Sequence, residues 1–132
     1  MAQVELTWIE RQRYLAVDSG GHSAVFSGKD DVGVKPSEAL LLSLAGCSAH
    51  DVVEIIGKRK LTLDALKVTV SAEQKEKAPW PFTRIHLRYT ASAEGLDLEQ
   101  LNRAIDLSLN KYCSVRASLS PDVQVTYEAV LE

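Results

Sequence analysis

Apolar and polar residues alternate along Val4-Glu5-Leu6-Thr7-Trp8-Ile9, again in Tyr14-Leu15-Ala16-Val17 and in His22-Ser23-Ala24-Val25-Phe26. Polar or glycine breaks separate these runs at Glu10 to Arg13 and at Asp18 to Gly21. A period of two interrupted by short turns predicts three strands in a meander. From Gly28 to Lys35 the chain is rich in glycine and charge, has no apolar period and reads as a loop.

Pro36 then suits the first position of a helix, and Lys58, Arg59 and Lys60 suit its C-terminus, where cations meet the negative end of the dipole. The helix predicted between them has about 24 residues and a length of roughly 36 Å. The radius of gyration expected for a domain of this size is about 14 Å, so such a helix would cross it as a spine. Its apolar residues, among them Leu40, Leu41, Leu42, Leu44, Ala49, Val52, Val53 and Ile56, spread over more than one helical face. A helix resting on one sheet does not need that, so a second covering surface is expected, from this chain or from a partner. Gly46 inside the helix costs about 1 kcal/mol of propensity, which close approach of another helix would offset.

Period two returns in Leu66, Val68, Val70 and Ala72, and again in Ile85, Leu87, Tyr89 and Ala91, which predicts a hairpin whose loop carries Pro79-Trp80-Pro81. Asp97 with Gln100 three residues later forms a capping-box signature ahead of Leu98, Leu101, Ile105 and Leu109, so a second helix should run to about Lys111. Ser114 to Leu119 fits a short third helix stopped by Pro121, and Val123, Val125 and Tyr127 alternate in a last strand. The order βββ-α-ββ-α-α-β lacks regular βαβ alternation and predicts an α+β fold with a mostly antiparallel sheet. Six strands and a spine helix are hard to cover within one small chain, which points to an intertwined homodimer. No repeat, linker or low-complexity tract divides residues 1–132, so a single domain is expected.

Composition narrows the function. Fifteen Lys and Arg against 18 Asp and Glu give a net charge of -3, so no basic field draws nucleic acid or an anionic membrane. The N-terminus has neither a charged nor an apolar leader region, and purely apolar runs are short, so the expected location is the cytoplasm. Two cysteines are too few for a secreted disulfide scaffold, and the chain has no C-x-x-C pair suited to zinc. No ligand spacing links His22, His50 and His86, so a metal site has no support.

Cys47 falls mid-helix in Ala45-Gly46-Cys47-Ser48-Ala49-His50-Asp51, and Cys113 follows the second helix in Lys111-Tyr112-Cys113-Ser114. Both positions suit a small buried hydrophobe. Cys113 also stands where a new helix begins, so unpaired N–H groups and the dipole would favour its thiolate, with Arg116 one turn on. His50 and Asp51 share the helix face of Cys47 and raise a Cys-His-Asp hydrolase. Adjacent helical residues diverge by about 100°, however, so Asp51 is badly placed to orient His50, and triads normally gather from separate elements.

Pro36-Ser37-Glu38 ahead of Gly46-Cys47-Ser48 in one long apolar helix, followed by Lys111-Tyr112-Cys113-Ser114-Val115, resembles the OsmC/Ohr family of bacterial thiol-dependent peroxidases, in its OsmC-like branch. The resemblance covers nearly the whole chain. It implies an intertwined homodimer with active sites at the subunit interface, and no metal or cofactor. It also implies reduction of organic hydroperoxides in preference to hydrogen peroxide, at the expense of a dithiol reductant, in oxidative stress defence. By the same resemblance Cys47 is the peroxidatic residue and Cys113 the resolving one. Arg11 and Arg13, in the first hairpin turn, are the candidates for the cation beside the thiolate, and Glu38 for the carboxylate that holds that cation.

Two departures from the family pattern stand out. The studied peroxidases carry glutamate directly after the proline, whereas here Ser37 intervenes and a one-residue shift turns a helical side chain by about 100°. Nine helical residues place Glu38 about 13.5 Å along the axis from Cys47 and on nearly the opposite face, so it could serve only a partner subunit's site. Ser114 stands where many of the peroxidases have proline. These departures leave a second reading open, a non-enzymatic dimer that binds a small apolar ligand and whose cysteines are structural.

Overall fold

Beginning at Glu5, the computed structural model, which describes all 132 residues, follows the predicted order. Strands β1 (Glu5–Glu10), β2 (Arg13–Val17) and β3 (Ser23–Ser27) precede helix α1 (Pro36–Lys58). Strands β4 (Leu63–Gln74) and β5 (Phe82–Ala93) follow, then helix α2 (Leu98–Leu107), a π-turn over Ser108–Tyr112, the short helix α3 (Ser114–Ala117) and strand β6 (Gln124–Leu131). The strands form two sheets of three, β1-β2-β3 and β4-β5-β6, in an α+β fold. Three of the four strand pairings are antiparallel, and β6 lies parallel to β5. A parallel neighbour needs a crossover, which α2, the π-turn and α3 supply.

Met1–Leu41 and Leu42–Glu132 are two compact units. In the first, the β1-β2 turn places Arg11 at a φ of 48°, and the Trp8 indole N–H donates to the Arg11 carbonyl at 2.6 Å. The loop after β3 closes back on it: Val34 N–H donates to Val25 O at 3.0 Å, and the Val34 carbonyl accepts from Ser27 N–H at 3.1 Å. Gly33 is required by this closure, because a Cβ there would meet the Val25 carbonyl oxygen at 2.5 Å. Every residue of β1 is exposed, including Leu6, Trp8 and Ile9.

In the second unit the core lies on one face of the β4-β5-β6 sheet. Ile85, Leu87, Tyr89 and Ala91 alternate along the central strand β5 and are buried, as period two requires. They share the core with Leu101, Ala104 and Ile105 of α2, and with Leu44, Val52 and Ile56 of α1. The α2 capping box is present, with Asp97 Oδ1 accepting from Gln100 N–H at 2.7 Å and Gln100 Oε1 accepting from Asp97 N–H at 3.0 Å. Buried α1 residues Leu44, Ser48, Val52 and Ile56 recur every four positions, a single stripe. Leu40, Leu42 and Val53 stay exposed, and nothing lies within 4 Å of a Cβ built on Gly46. The close helix expected at Gly46 is therefore absent within this chain. By length and composition α1 is long and apolar enough to cross a membrane, although its buried stripe is occupied by protein.

Candidate functional site

Cys47 is half-buried on α1 and Cys113 is buried at the start of α3, and both are free thiols. The two thiols lie close enough for each to shift the ionisation of the other, so the fold brings together cysteines far apart in sequence. Cys113 is also the N-cap of α3, with its Sγ accepting from Arg116 N–H at 3.4 Å.

The amides at the start of α3 divide between the two sulfurs. Hydrogen bonding from Val115 N–H is the largest influence on Cys47 and holds its thiol below the ordinary value, helped by the Cys113 side chain and by Ser114 through hydroxyl and N–H. Ser114 Oγ lies 3.7 Å from Cys47 Sγ. Burial opposes this shift without reversing it. Cys113 moves the other way: burial pushes its thiol up, and the neighbouring Cys47 adds to the rise. Cys47 is therefore the more readily deprotonated of the two thiols. The sequence assigned the helix N-terminus to Cys113. In the fold its first amides favour Cys47, and only Arg116 N–H turns to Cys113.

Behind the thiols lies a set of polar groups that the sequence reading did not single out as a site. Ser48 Oγ lies 2.6 Å from the Tyr89 hydroxyl and 2.9 Å from Ser108 Oγ, and Ser108 Oγ donates to Asp51 Oδ2 at 2.9 Å. Ser48, Tyr89 and Ser108 have no exposed surface, and burial pushes the Tyr89 phenol up to about 12, so it stays protonated and able to donate near neutral pH. One signal was available in the sequence: Ser48 and Asp51 are three apart on a helix and therefore share a face. His50, by contrast, points outward and lies 3.9 Å from Glu54, so His50 and Asp51 turn to different partners and no Cys-His-Asp triad forms along α1.

Of the remaining predicted residues, Arg13 is held by Asp31 through two hydrogen bonds of 2.9 Å, from Nε to Oδ2 and from Nη2 to Oδ1. The pairing raises the Arg13 pKa and lowers that of Asp31. Glu10 lies 3.7 Å from Arg13. Arg11 contributes more weakly to the field at Asp31. Glu38 is exposed in the first turn of α1, where the helix dipole favours an acid. The carboxylate that binds Arg13 within this chain is thus Asp31 and not Glu38.

The two-sheet α+β topology and the paired thiols define a class, and comparison with known proteins agrees: the chain belongs to the OsmC family of OsmC-like proteins, whose profile matches residues 28–128. It is similar to Protein YhfA of Escherichia coli strain K12, 35% identical over 131 residues that span 97% of this chain and 98% of that one. Among solved structures, a hypothetical protein from Aquifex aeolicus VF5 superposes with a TM-score of 0.86 at 29% identity, covering 100% of this chain and 98% of the other. The organic hydroperoxide resistance protein OhrB of Bacillus subtilis has the same fold at a TM-score of 0.64 and 15% identity, over 98% of this chain and 97% of its own.

Proposed function

We propose that this chain is a thiol-dependent peroxidase that reduces organic hydroperoxides, and hydrogen peroxide more weakly, in oxidative stress defence. The observation that carries this reading is the asymmetry of the two neighbouring thiols: the more accessible Cys47 is held toward the thiolate, and the buried Cys113 toward the thiol. In the first step the Cys47 thiolate attacks an oxygen of ROOH. The O–O bond breaks, the alkoxide takes a proton and leaves as ROH, and Cys47 becomes a sulfenic acid. Cys113 then attacks the oxidised sulfur, the S–O bond breaks, and oxygen leaves as water while the disulfide forms. A dithiol reductant restores both thiols by exchange and is itself oxidised to a disulfide.

The reading includes a homodimer. Leu6, Trp8, Val32, Leu40, Leu42 and Val53 are exposed apolar side chains that a second copy of the chain would cover. Arg11 or Arg13 would supply the cation near the thiolate of a dimer site, and Glu38 would reach only the partner's site. The test is consumption of tert-butyl hydroperoxide with dithiothreitol as reductant. Turnover that disappears in Cys47→Ser supports the reading. Absence of turnover in the wild type would favour the dimeric ligand-binding alternative.

A further inference from the structure

Ser108 touches both halves of the thiol pair without touching either sulfur. Its carbonyl accepts the Cys113 N–H at 2.7 Å, the hydrogen bond that closes the π-turn and fixes where Cys113 leaves the helix. Its hydroxyl reaches α1 at three atoms: Ser48 Oγ at 2.9 Å, Ser48 O at 3.4 Å and Asp51 Oδ2 at 2.9 Å. Ser48 is the residue directly after Cys47, and Tyr89 of β5 holds Ser48 from the other side at 2.6 Å.

The π-turn makes this connection consequential. An uninterrupted α-helix through Ser108–Tyr112 would aim Cys113 in another direction, because the wider turn inserts one residue into the helical count, a rotation of about 100°. Ser108 and Ser48 are fully buried among apolar neighbours, where an unmade hydrogen bond is expensive. The four-residue cluster therefore has few alternative arrangements and holds the start of the π-turn against α1.

We propose that Ser108, supported by Ser48, Asp51 and Tyr89, is the positioning residue that holds Cys113 in register with Cys47 for disulfide formation. This rests on the peroxidase reading for its biological use but not for its test. The step it governs is closure: Cys113 sulfur bonds to the oxidised Cys47 sulfur, the S–O bond breaks, and the Cys113 proton leaves with the oxygen as water. The Ser108 hydroxyl bonds Ser48 and Asp51 and neither sulfur, so attack on ROOH should not depend on it.

The experiment equilibrates reduced protein with mixtures of oxidised and reduced dithiothreitol, which requires no peroxide, and measures the Cys47–Cys113 disulfide by mass spectrometry. In Ser108→Ala the equilibrium constant for closure should fall at least about tenfold, and after tert-butyl hydroperoxide the closure rate should fall by up to about 100-fold while sulfenic acid still forms at the wild-type rate. Cys47 of the variant should then accumulate sulfinic acid. Ser48→Ala removes the same contact from the other side and serves if Ser108→Ala does not fold. The double variant should cost less than the sum of the singles, because both act on one contact. Wild-type closure in the folded variants would overturn the proposal, as would wild-type protein that forms no such disulfide in the redox buffer. Lack of reaction with the hydroperoxide alone would count against the peroxidase reading and leave the buffer measurement decisive for Ser108.

Discussion

Ser114 Oγ lies 3.7 Å from Cys47 Sγ, although the two residues stand at the start of α3 and in the middle of α1. Ser114 favours the thiolate through both hydroxyl and N–H, and a proline at position 114 would remove both. The fold should accept it, since Cys113 has φ -73° and ψ 107°, the extended backbone that precedes proline, and proline is favoured at the first helical position. Only the deprotonated thiol is alkylated, so the iodoacetamide rate at Cys47 rises with pH and levels off above its pKa. Because that pKa is lowered, the wild-type midpoint should fall below that of Cys113 in the same protein, whose pKa is raised. In Ser114→Pro the midpoint should move up and the rate at pH 7 drop by roughly 5- to 150-fold, about the worth of two hydrogen bonds. An unshifted midpoint would mean that Val115 N–H suffices.

The opposite shifts of the two thiols predict which variant accumulates an intermediate. Cys113→Ser should leave Cys47 able to react once with hydroperoxide and then stall as a sulfenic acid that dimedone labels. Dimedone adduct on Cys113 of the Cys47→Ser variant, with none on Cys47 in Cys113→Ser, would reverse the assigned roles.

Arg13 has its carboxylate partner in Asp31, and this changes what mutation of the arginines should show. If Arg13 supplies the cation at the thiolate, Arg13→Ala should slow peroxide attack by roughly 10- to 150-fold, as expected when a charge-assisted contact of about 1.5–3 kcal/mol is lost. Asp31→Asn should then reproduce much of that loss, whereas Glu38→Gln should have a smaller effect. A large effect of Glu38→Gln with none from Asp31→Asn would restore Glu38 as the anchoring carboxylate. Arg11→Ala separates the neighbouring arginine, and wild-type rates in all four variants would remove the arginine–carboxylate pair from the mechanism.

The exposed apolar residues of β1 and α1 predict association in solution. Sedimentation equilibrium at micromolar concentration should give a dimer whose interface exceeds about 2,000 Å². Trp8→Glu and Leu42→Glu, which place charge on exposed positions, should weaken it without disturbing the buried stripe of α1. A stable folded monomer of wild-type protein would refute this.

The elements of the fold were legible because their causes are local. Pro36, the basic residues after Gly57, the Asp97–Gln100 capping box and the alternation in Ile85, Leu87, Tyr89 and Ala91 each act within a few residues, and each lies where its element begins, ends or faces the core. The two cysteines were legible as a pair through their surrounding motifs. Four things depended on contacts between distant segments. The parallel placement of β6 beside β5 follows from the crossover, and the choice of Asp31 over Glu38 for Arg13 follows from the loop after β3 folding back on its strand. Which sulfur receives the α3 amides depends on where α1 passes that helix, a distance that no periodicity contains. The π-turn at Ser108 depends on no known sequence period, and its serine meets Ser48 and Asp51 only because α1 and α2 pack on the same face of one sheet. Sequence by itself thus determined what each segment forms and which residue types are available for redox chemistry. Tertiary structure decided which thiol is the more readily deprotonated and what surrounds the other, because both are set by hydrogen bonds and burial between segments remote in the chain.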